Sequence, residues 1–463
     1  MQYSVVNYKT VRENSDFRID AEYYRQYFFD LLSKISQKKN FALSEISSNK
    51  TKRFKGDYDF EYLEISNIST ADASCIYQFL SKEETPSRAQ KILKNKDVVI
   101  STVRPNRNAV SFINEIEGLK VASSGFCVLR NFRNVLPEYI FILFKTYIFR
   151  DLLDRETKAT MYPAVSEEDI LNLRIPIFSL NFQKKIAGIV LELFKKQNQS
   201  KSLYSQAEQL LLSELGLLDW KPKHTLAFVK NFSDTQKAER IDAEYFQPKY
   251  EEIIEAVKKY KGGYDELGNL VKINDKNFTP KDNEQYKYIE LANISSNGEI
   301  NGYTENFGNE LPSRARRKVQ KGDLVISTIE GSLESIALIT EDWKNALCST
   351  GFFVVNSNKL NPETLLVLLK TKVGQMQLKK GCKGTILTAI DKNELSKIVL
   401  PKIDSKTQEE IKAKITEMYE AKKLSKSLLE IAKRGVEIAI EKDEQEAEEW
   451  IESEIEKLGV KIQ

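Results

Sequence analysis

PSRAQKILKNKDVVIST (residues 86–102) and PSRARRKVQKGDLVIST (residues 312–328) are one frame written twice. Nine of the seventeen positions are identical, in the same order and without a gap, at an offset of 226. DVVIST and DLVIST are short β-branched runs bounded by polar residues, which reads as a buried strand in each place. The segments after them differ: VRPNRNAVSFIN (103–114) against IEGSLESIALIT (329–340).

The frame extends in both directions. FRIDAEYY (17–24) recurs as ERIDAEYF (239–246), and YLEISNIS (62–69) as YIELANIS (288–295). VASSGFCVL (121–129) answers ALCSTGFFVV (346–355) around SSGF and STGF. LPEYIFILFKT (136–146) answers NPETLLVLLKT (361–371), and KATMYPAVSEEDILNLRIPI (158–177) answers KGTILTAIDKNELSKIVLPK (383–402). Two copies at such a long period are a duplicated domain, not a solenoid, which stacks several short units. LPEYIFILFKTY carries a helix pattern opened by proline at its first turn. Strands, that helix and Ser/Asn/Lys/Gly-rich loops together make an α+β unit of about 180 residues.

Each copy ends in a long helix. Ile186, Val190, Leu193, Gln197, Ser200, Tyr204, Ala207 and Leu211 step by four and three. Ile411, Ile415, Met418, Lys422, Ser425, Leu429, Ala432 and Val436 repeat the series at offset 225. The mean step of 3.5 is that of a coiled-coil seam, and its polar middle (Gln197, Ser200, Lys422, Ser425) would fix register and partner. A single amphipathic helix ordinarily lies on its own domain. Two equal ones in equivalent places favour antiparallel pairing, and some 30 residues would make a spacer of roughly 45 Å. The expected segments are a first domain at 1–180, a helix at 181–216, linker and second domain at 217–405, a helix at 406–441, and an acidic tail at 442–463.

Composition narrows the functional classes. The chain has 463 residues, 41% hydrophobic and 30% charged, as a multidomain globular protein should. Its 70 Lys+Arg nearly balance 67 Asp+Glu, so a polyanion partner requires the positive residues to be gathered on one face. Cys75, Cys127, Cys348 and Cys382 form no CxxC pair and read as reduced thiols, with no metal site. MQYSVVNYKT lacks a signal-peptide pattern, and YIFILF (139–144) is too short to span a bilayer, so a cytoplasmic location without membrane contact is expected. The one histidine, His224, falls in the linker, leaving little material for a His-based relay. No GxxxxGK[ST] loop is present.

In this order the RIDAEY starts, the YLEISNIS and YIELANIS strands, DVVIST and DLVIST, and the SSGF and STGF turns resemble the specificity subunit of a type I restriction–modification system. The resemblance runs from RIDAEYY to about residue 440. It implies two duplicated α+β target recognition domains held apart by two long antiparallel helices forming a coiled coil. Each domain would read one half of a bipartite site in double-stranded DNA, and the helices would set the spacer and dock two modification (methyltransferase) subunits. The subunit would be non-catalytic and hold no cofactor. S-adenosylmethionine, ATP and Mg would act through the modification and restriction (translocase/nuclease) subunits. The chain's end would lie near the first domain's start.

Arg suits guanine O6/N7, Asn suits adenine, and Glu accepts from cytosine N4. On that chemistry Arg104, Asn106 and Arg107 are the base-contact candidates in the first copy, with Glu330 and Ser332 in the second. Phosphate candidates are Lys52, Arg53 and Lys55 in KTKRFK, with Lys91 and Lys94. In the second copy they are Arg316, Arg317 and Lys318 of RARRK. Lys158 and Tyr162 of KATMY, and Lys380 and Lys383 of KGCKGT, complete the set. The tail EKDEQEAEEWIESEIEKL (441–458) would repel phosphate; it reads as a solvated helix end or as a docking surface anchored by Trp450 and Ile451. The competing reading is a structural adaptor, two protein-binding domains on a coiled rod without DNA, which near-neutral charge favours. An enzyme with carboxylate sites in both halves ranks last, because Glu330 and Glu334 face Arg104 and Asn108 across the repeat.

Overall fold

The two copies of the frame fold into the same sheets. A computed structural model describes residues 5–13, 18–158, 161–294, 298–384 and 388–462. Along the first copy run strands β1 (Phe60–Leu63), β2 (Gln78–Leu80), β3 (Ala89–Ile92), β4 (Val98–Ser101), β5 (Val110–Phe112), β6 (Lys120–Ser123) and β7 (Phe126–Leu129). Helices α1 (Pro137–Lys145), α2 (Tyr147–Arg155) and the long α3 (Leu180–Glu214) come next. The second copy has β8 (Lys272–Asn274), β9 (Gln285–Ile289), β10 (Thr304–Phe307), β11 (Ala315–Lys318), β12 (Leu324–Ser327), β13 (Ile336–Leu338), β14 (Leu347–Ser349) and β15 (Phe352–Asn356). Then come α4 (Pro362–Lys370), α5 (Lys372–Gly381), the long α6 (Ser405–Glu441) and α7 (Glu444–Leu458).

One sheet in each copy has the order β2-β1-β6-β3 or β10-β9-β14-β11, with the central pair parallel. The other has β5-β4-β7, or β8-β15-β12-β13 with an added edge strand. In the first copy that edge is a single bridge, Ser48 to Arg130. Even the irregularity repeats: β3 shifts register between Ala89 and Lys91, β11 between Ala315 and Arg317. A bulge kept in both copies is a feature of the frame. β4 and β12 are buried along their whole length, which is why DVVIST and DLVIST carry no outward polar alternation.

The chain forms two compact units. Unit 1 takes residues 1–198 and 421–463, and unit 2 takes 199–420. In unit 1 the first half of α3 (Ile186, Val190, Leu193) shares one core with the second half of α6 (Leu429, Ala432, Val436). In unit 2 the second half of α3 (Ala207, Leu211, with Tyr204 half-buried) shares a core with the first half of α6 (Ile411, Ile415, Met418). First half against second half in both cases is the antiparallel pairing. Each helix also packs on the domain it follows: Phe194 lies 5.8 Å from Phe112 and 6.1 Å from Phe141.

The polar seam behaves differently from the expectation. Gln197 donates to Asp72 O at 2.7 Å, a domain loop, and Ser425 to Lys422 O on its own helix at 2.9 Å. In unit 2, residues outside the seam hydrogen-bond from helix to helix, Gln199 to Glu417 and Lys414 to Gln206, both at 2.9 Å. Gln183 and Gln408 lock the helix starts. Their Oε1 atoms accept from Leu136 N and Asn361 N, each at 2.9 Å, at the entries of α1 and α4.

The acidic tail is α7, and it belongs to unit 1. Ile451 is fully buried against the unit's core, with Trp450 packed at its margin, so Ile451 is no docking anchor. Glu444 accepts from Ser179 N, and Lys185 pairs with Glu448 and Glu452. No helix among the described residues is long and apolar enough to cross a membrane.

Candidate nucleic-acid interface

Each unit brings together two loops that are 50 or more residues apart in sequence. In unit 1 the chain leaves β4 through Thr102, whose N and Oγ1 both donate to Gly125 O at 2.9 Å. In unit 2 Thr328 does the same to Gly351 O, at 3.0 and 3.1 Å. These glycines are those of SSGF and STGF. A Cβ on Gly125 would stand 2.9 Å from Ile65 Cδ1, so the turn packs closely against the YLEISNIS segment. The shared motifs therefore contact one another and form the frame.

The loop after β4 is a 3₁₀ turn, Pro105–Arg107, bracketed by Arg104 (φ 49°) and Asn108 (φ 55°) in left-handed conformation. Arg104 N donates to Pro163 O at 2.7 Å, and Val103 bridges Ala164. This places the loop against residues 161–164, with the Arg104 guanidinium 5.8 Å from the exposed ring of Tyr162. Asn106 and Arg107 are exposed and Arg104 is half-buried. In unit 2 Glu330 N donates to Thr388 O at 2.9 Å, and Ile329 bridges Ala389. Glu330 is half-buried, while Gly331 and Glu334 are exposed. The Ser332 hydroxyl lies 2.9 Å from Ser327 Oγ across the turn. Leu333, in the place of Arg107, is buried. Ala159, Thr160 and Thr385 of the KATMY and KGCKGT stretches lie outside the described residues.

A lysine underpins each loop, buried in unit 1 and half-buried in unit 2. Lys145 Nζ donates to Asn108 O at 3.0 Å and Thr70 O at 3.2 Å. Lys370 Nζ donates to Glu334 O at 2.8 Å, the equivalent carbonyl. Burial, reinforced by Lys433 against the pull of Asp72 and Glu430, brings the Lys145 ammonium down to about 7. Burial brings Lys370 to about 8, against the pull of Glu334 and Glu208. Sequence reading missed both, since a lysine at the end of an apolar helix ordinarily extends to solvent.

The basic candidates divide by what already holds them. Lys52, Arg53, Lys55 and Lys94 are exposed, and the KTKRFK backbone runs beside β3 through an Arg53–Lys91 bridge. The Lys91 ammonium is bonded to Phe126 O at 2.5 Å and paired with Glu167. The Lys380 ammonium stands over the Tyr245 ring at 4.8 Å, and burial lowers its pKa. Lys158 and Lys383 are exposed in equivalent places, paired with Asp169 (3.1 Å) and Asp391 (2.9 Å). Such surface pairs are worth about 0–1 kcal/mol, so phosphate can displace them. Arg316, Arg317 and Lys318 are half-buried: Arg316 donates to Ser313 O, Arg317 to Asp275 O, and Lys318 lies over Phe278.

Sequence reading passed over Arg88 and Arg314. Both are exposed, and their carbonyls accept from Ser124 N (2.7 Å) and Thr350 N (2.9 Å) in the SSGF and STGF turns. Their identity inside the repeated PSRA was the signal. None of the four cysteines is in a disulfide, and among the described residues no group of His, Cys, Asp or Glu is arranged to hold a metal ion.

Residues 35–209 match the family described as "Type I restriction modification DNA specificity domain". The chain is 26% identical over 187 residues to the type I restriction enzyme HindI specificity subunit of Haemophilus influenzae, a match covering 38% of this chain. It spans about two fifths (39%) of that relative's length. Among solved structures it is similar to the HsdS subunit from Thermoanaerobacter tengcongensis (18% identity, 88% of this chain and 97% of that one, TM-score 0.33). It is also similar to a type I restriction–modification S subunit from M. genitalium (12% identity, 85% and 93%, TM-score 0.40).

Proposed function

We propose that this chain, whose residues 35–209 match the family described as "Type I restriction modification DNA specificity domain", is the addressing subunit of a type I restriction–modification complex. Each unit reads one half of a bipartite site in double-stranded DNA, and the paired long helices set the spacer between the halves. Arg104, Asn106 and Arg107 read bases in the first half; Glu330 and Glu334 read them in the second. Lys52, Arg53, Lys55, Lys94, Lys158 and Lys383 hold phosphates, together with Arg88 and Arg314. The subunit docks two modification subunits and, with them, the restriction subunits. It carries no catalytic centre or cofactor, and S-adenosylmethionine, ATP and Mg act elsewhere in the complex.

The observation that carries this reading is the contrast between a frame kept twice and the loops it presents. The Thr-to-Gly, lysine-to-carbonyl and loop-to-loop hydrogen bonds recur in both units. The side chains displayed on them change from cationic and amide to acidic. Recognition loops on a common scaffold differ in this way when two half-sites differ. The test is to express the chain with the methyltransferase subunit encoded beside it and map methylated adenines across a genome. A split motif with a fixed gap is expected, and a continuous short motif would refute the reading.

A further inference from the structure

The RIDAEY segments are the most literal repeat in the chain, yet they lie outside the base-reading loops and the basic stretches. Their side chains make the same three contacts in both units. Arg18 forms a two-pronged pair with Asp20, Nε to Oδ1 at 2.9 Å and Nη2 to Oδ2 at 2.7 Å. Arg240 forms the same pair with Asp242, at 2.7 and 2.9 Å. Each guanidinium lies 4.4 Å from the ring of the motif tyrosine, Tyr23 or Tyr245. The remaining prong reaches a helix end: Arg18 Nη1 donates to Arg155 O at 3.1 Å, and Arg240 Nη1 to Lys380 O at 3.3 Å. Arg240 Nη2 also donates to Cys382 O at 2.9 Å.

The Arg155 and Lys380 carbonyls belong to the last turns of α2 and α5, where helical partners run out and positive charge is favoured, and Cys382 directly follows α5. A second cation from the helix itself stands over the same tyrosine, Arg155 at 3.7 Å and Lys380 at 4.8 Å. The segment is not attached through its apolar residue, because Ile19 and Ile241 are 85% and 88% exposed. Arg18 and Arg240 are largely enclosed, with side chains 16% and 14% exposed, and Tyr23 and Phe246 of the same segments are buried. The motif is thus a polar clamp on a helix terminus.

Immediately beyond each clamped end lies the loop that meets the candidate base-reading turn. In unit 1 Lys158 and Ala164 exchange backbone hydrogen bonds at 2.8 and 3.1 Å, and Ala164 bridges Val103. In unit 2 Cys382 pairs with Ile390 and Lys383 with Ala389, which bridges Ile329. Where the helix stops decides the register in which these partners meet. We infer that Arg18 and Arg240 are positioning residues, each fixing the helix end that sets the paired loops of its own half-site reader. The clamp is a matter of structure alone; its bearing on specificity rests on the DNA-reading function proposed above.

The test uses Arg18→Ala and Arg240→Ala singly in the full chain, co-expressed with the methyltransferase subunit. Two readouts are taken: amide exchange by mass spectrometry, and methylation mapping. Arg18→Ala should speed exchange at Lys158 and Ala164 at least tenfold, leave Cys382 and Ile390 unchanged, and relax one half of the split motif. Arg240→Ala should do the converse. Arg18→Lys keeps the charge but not the fork, and should give an intermediate exchange rate. Unchanged exchange at both loops would overturn the clamp. So would faster exchange throughout unit 1, including Val99 and Val128, since the arginine would then be a general stabiliser. Local exchange with an unaltered motif would overturn the link to specificity. Absence of any split motif with the unsubstituted chain would refute the DNA-reading function, while exchange would still decide the clamp.

Discussion

Lys145→Met should make the stability of unit 1 respond to pH in a way that isolates one buried amine. In the unfolded chain this lysine titrates at its ordinary 10.5; in the fold burial brings it to about 7. Below pH 7 both states are protonated, and the folded state bears the full cost of a buried ammonium. Between 7 and 10.5 the unfolded chain binds the extra proton, so stability rises with pH. Above 10.5 both states are neutral and the cost is gone. At 1.36 kcal/mol per unit, the whole window amounts to at most about 5 kcal/mol, of which about 3 kcal/mol falls between pH 7 and 9.

Methionine fills similar volume but leaves the Thr70 carbonyl without its donor, a loss of about 1–3 kcal/mol that does not depend on pH, while the Asn108 carbonyl keeps Val110 N at 2.9 Å. The expected result is therefore a difference between the parent and variant chains that widens in favour of the parent as pH rises from 7 to 9. Trp450, packed on unit 1, reports its urea unfolding once Trp220 and Trp343 are replaced by Phe. A parent–variant gap that stays constant over those two pH units would refute the assignment of a depressed amine. Lys370, less enclosed and at about 8, should show the same behaviour in unit 2 with smaller amplitude and at higher pH.

Arg130→Ala leaves the buried Asp97 without its cation and should cost about 3–5 kcal/mol, measured by urea unfolding. Asn356→Ala, the same place in unit 2, removes one hydrogen bond from Asp323 and should cost about 1–3 kcal/mol. Gly435→Ala would set a Cβ 2.4 Å from the buried Ile451 Cδ1; it should release α7 to limited proteolysis at a cost of about 1–3 kcal/mol, which Ile451→Ala relieves. Arg104→Ala should relax a single base position by about 1–3 kcal/mol in a binding-site selection, and an unchanged preference would remove it from the reading set. Alanine at Lys52, Arg53 or Lys55 should instead weaken binding to every sequence alike and flatten the salt dependence by roughly one unit of slope for each phosphate left unpaired.

The duplicated domain, its buried strands and the long helices were legible because each rests on a local pattern: identity at a fixed offset, β-branched runs, a 3.5-residue step. What escaped was every property set by a partner distant in sequence. Lys91 belongs to a basic stretch by composition, but Glu167 and the Phe126 carbonyl have taken its charge. Gln197 occupies a seam position, yet Asp72 O lies within its reach. Ile451 alternates with glutamates as an exposed anchor would, and the core takes it. The correspondence across the repeat survives these corrections because it does not depend on any one side chain being free. Arg104 N and Glu330 N make the same hydrogen bond, to Pro163 O and Thr388 O at 2.7 and 2.9 Å. A guanidinium and a carboxylate thus start from one backbone anchor point on one frame, a donor fork in the first copy and an acceptor in the second. On the DNA-reading function proposed above, that reversal of charge matches the different donor and acceptor patterns that base edges present.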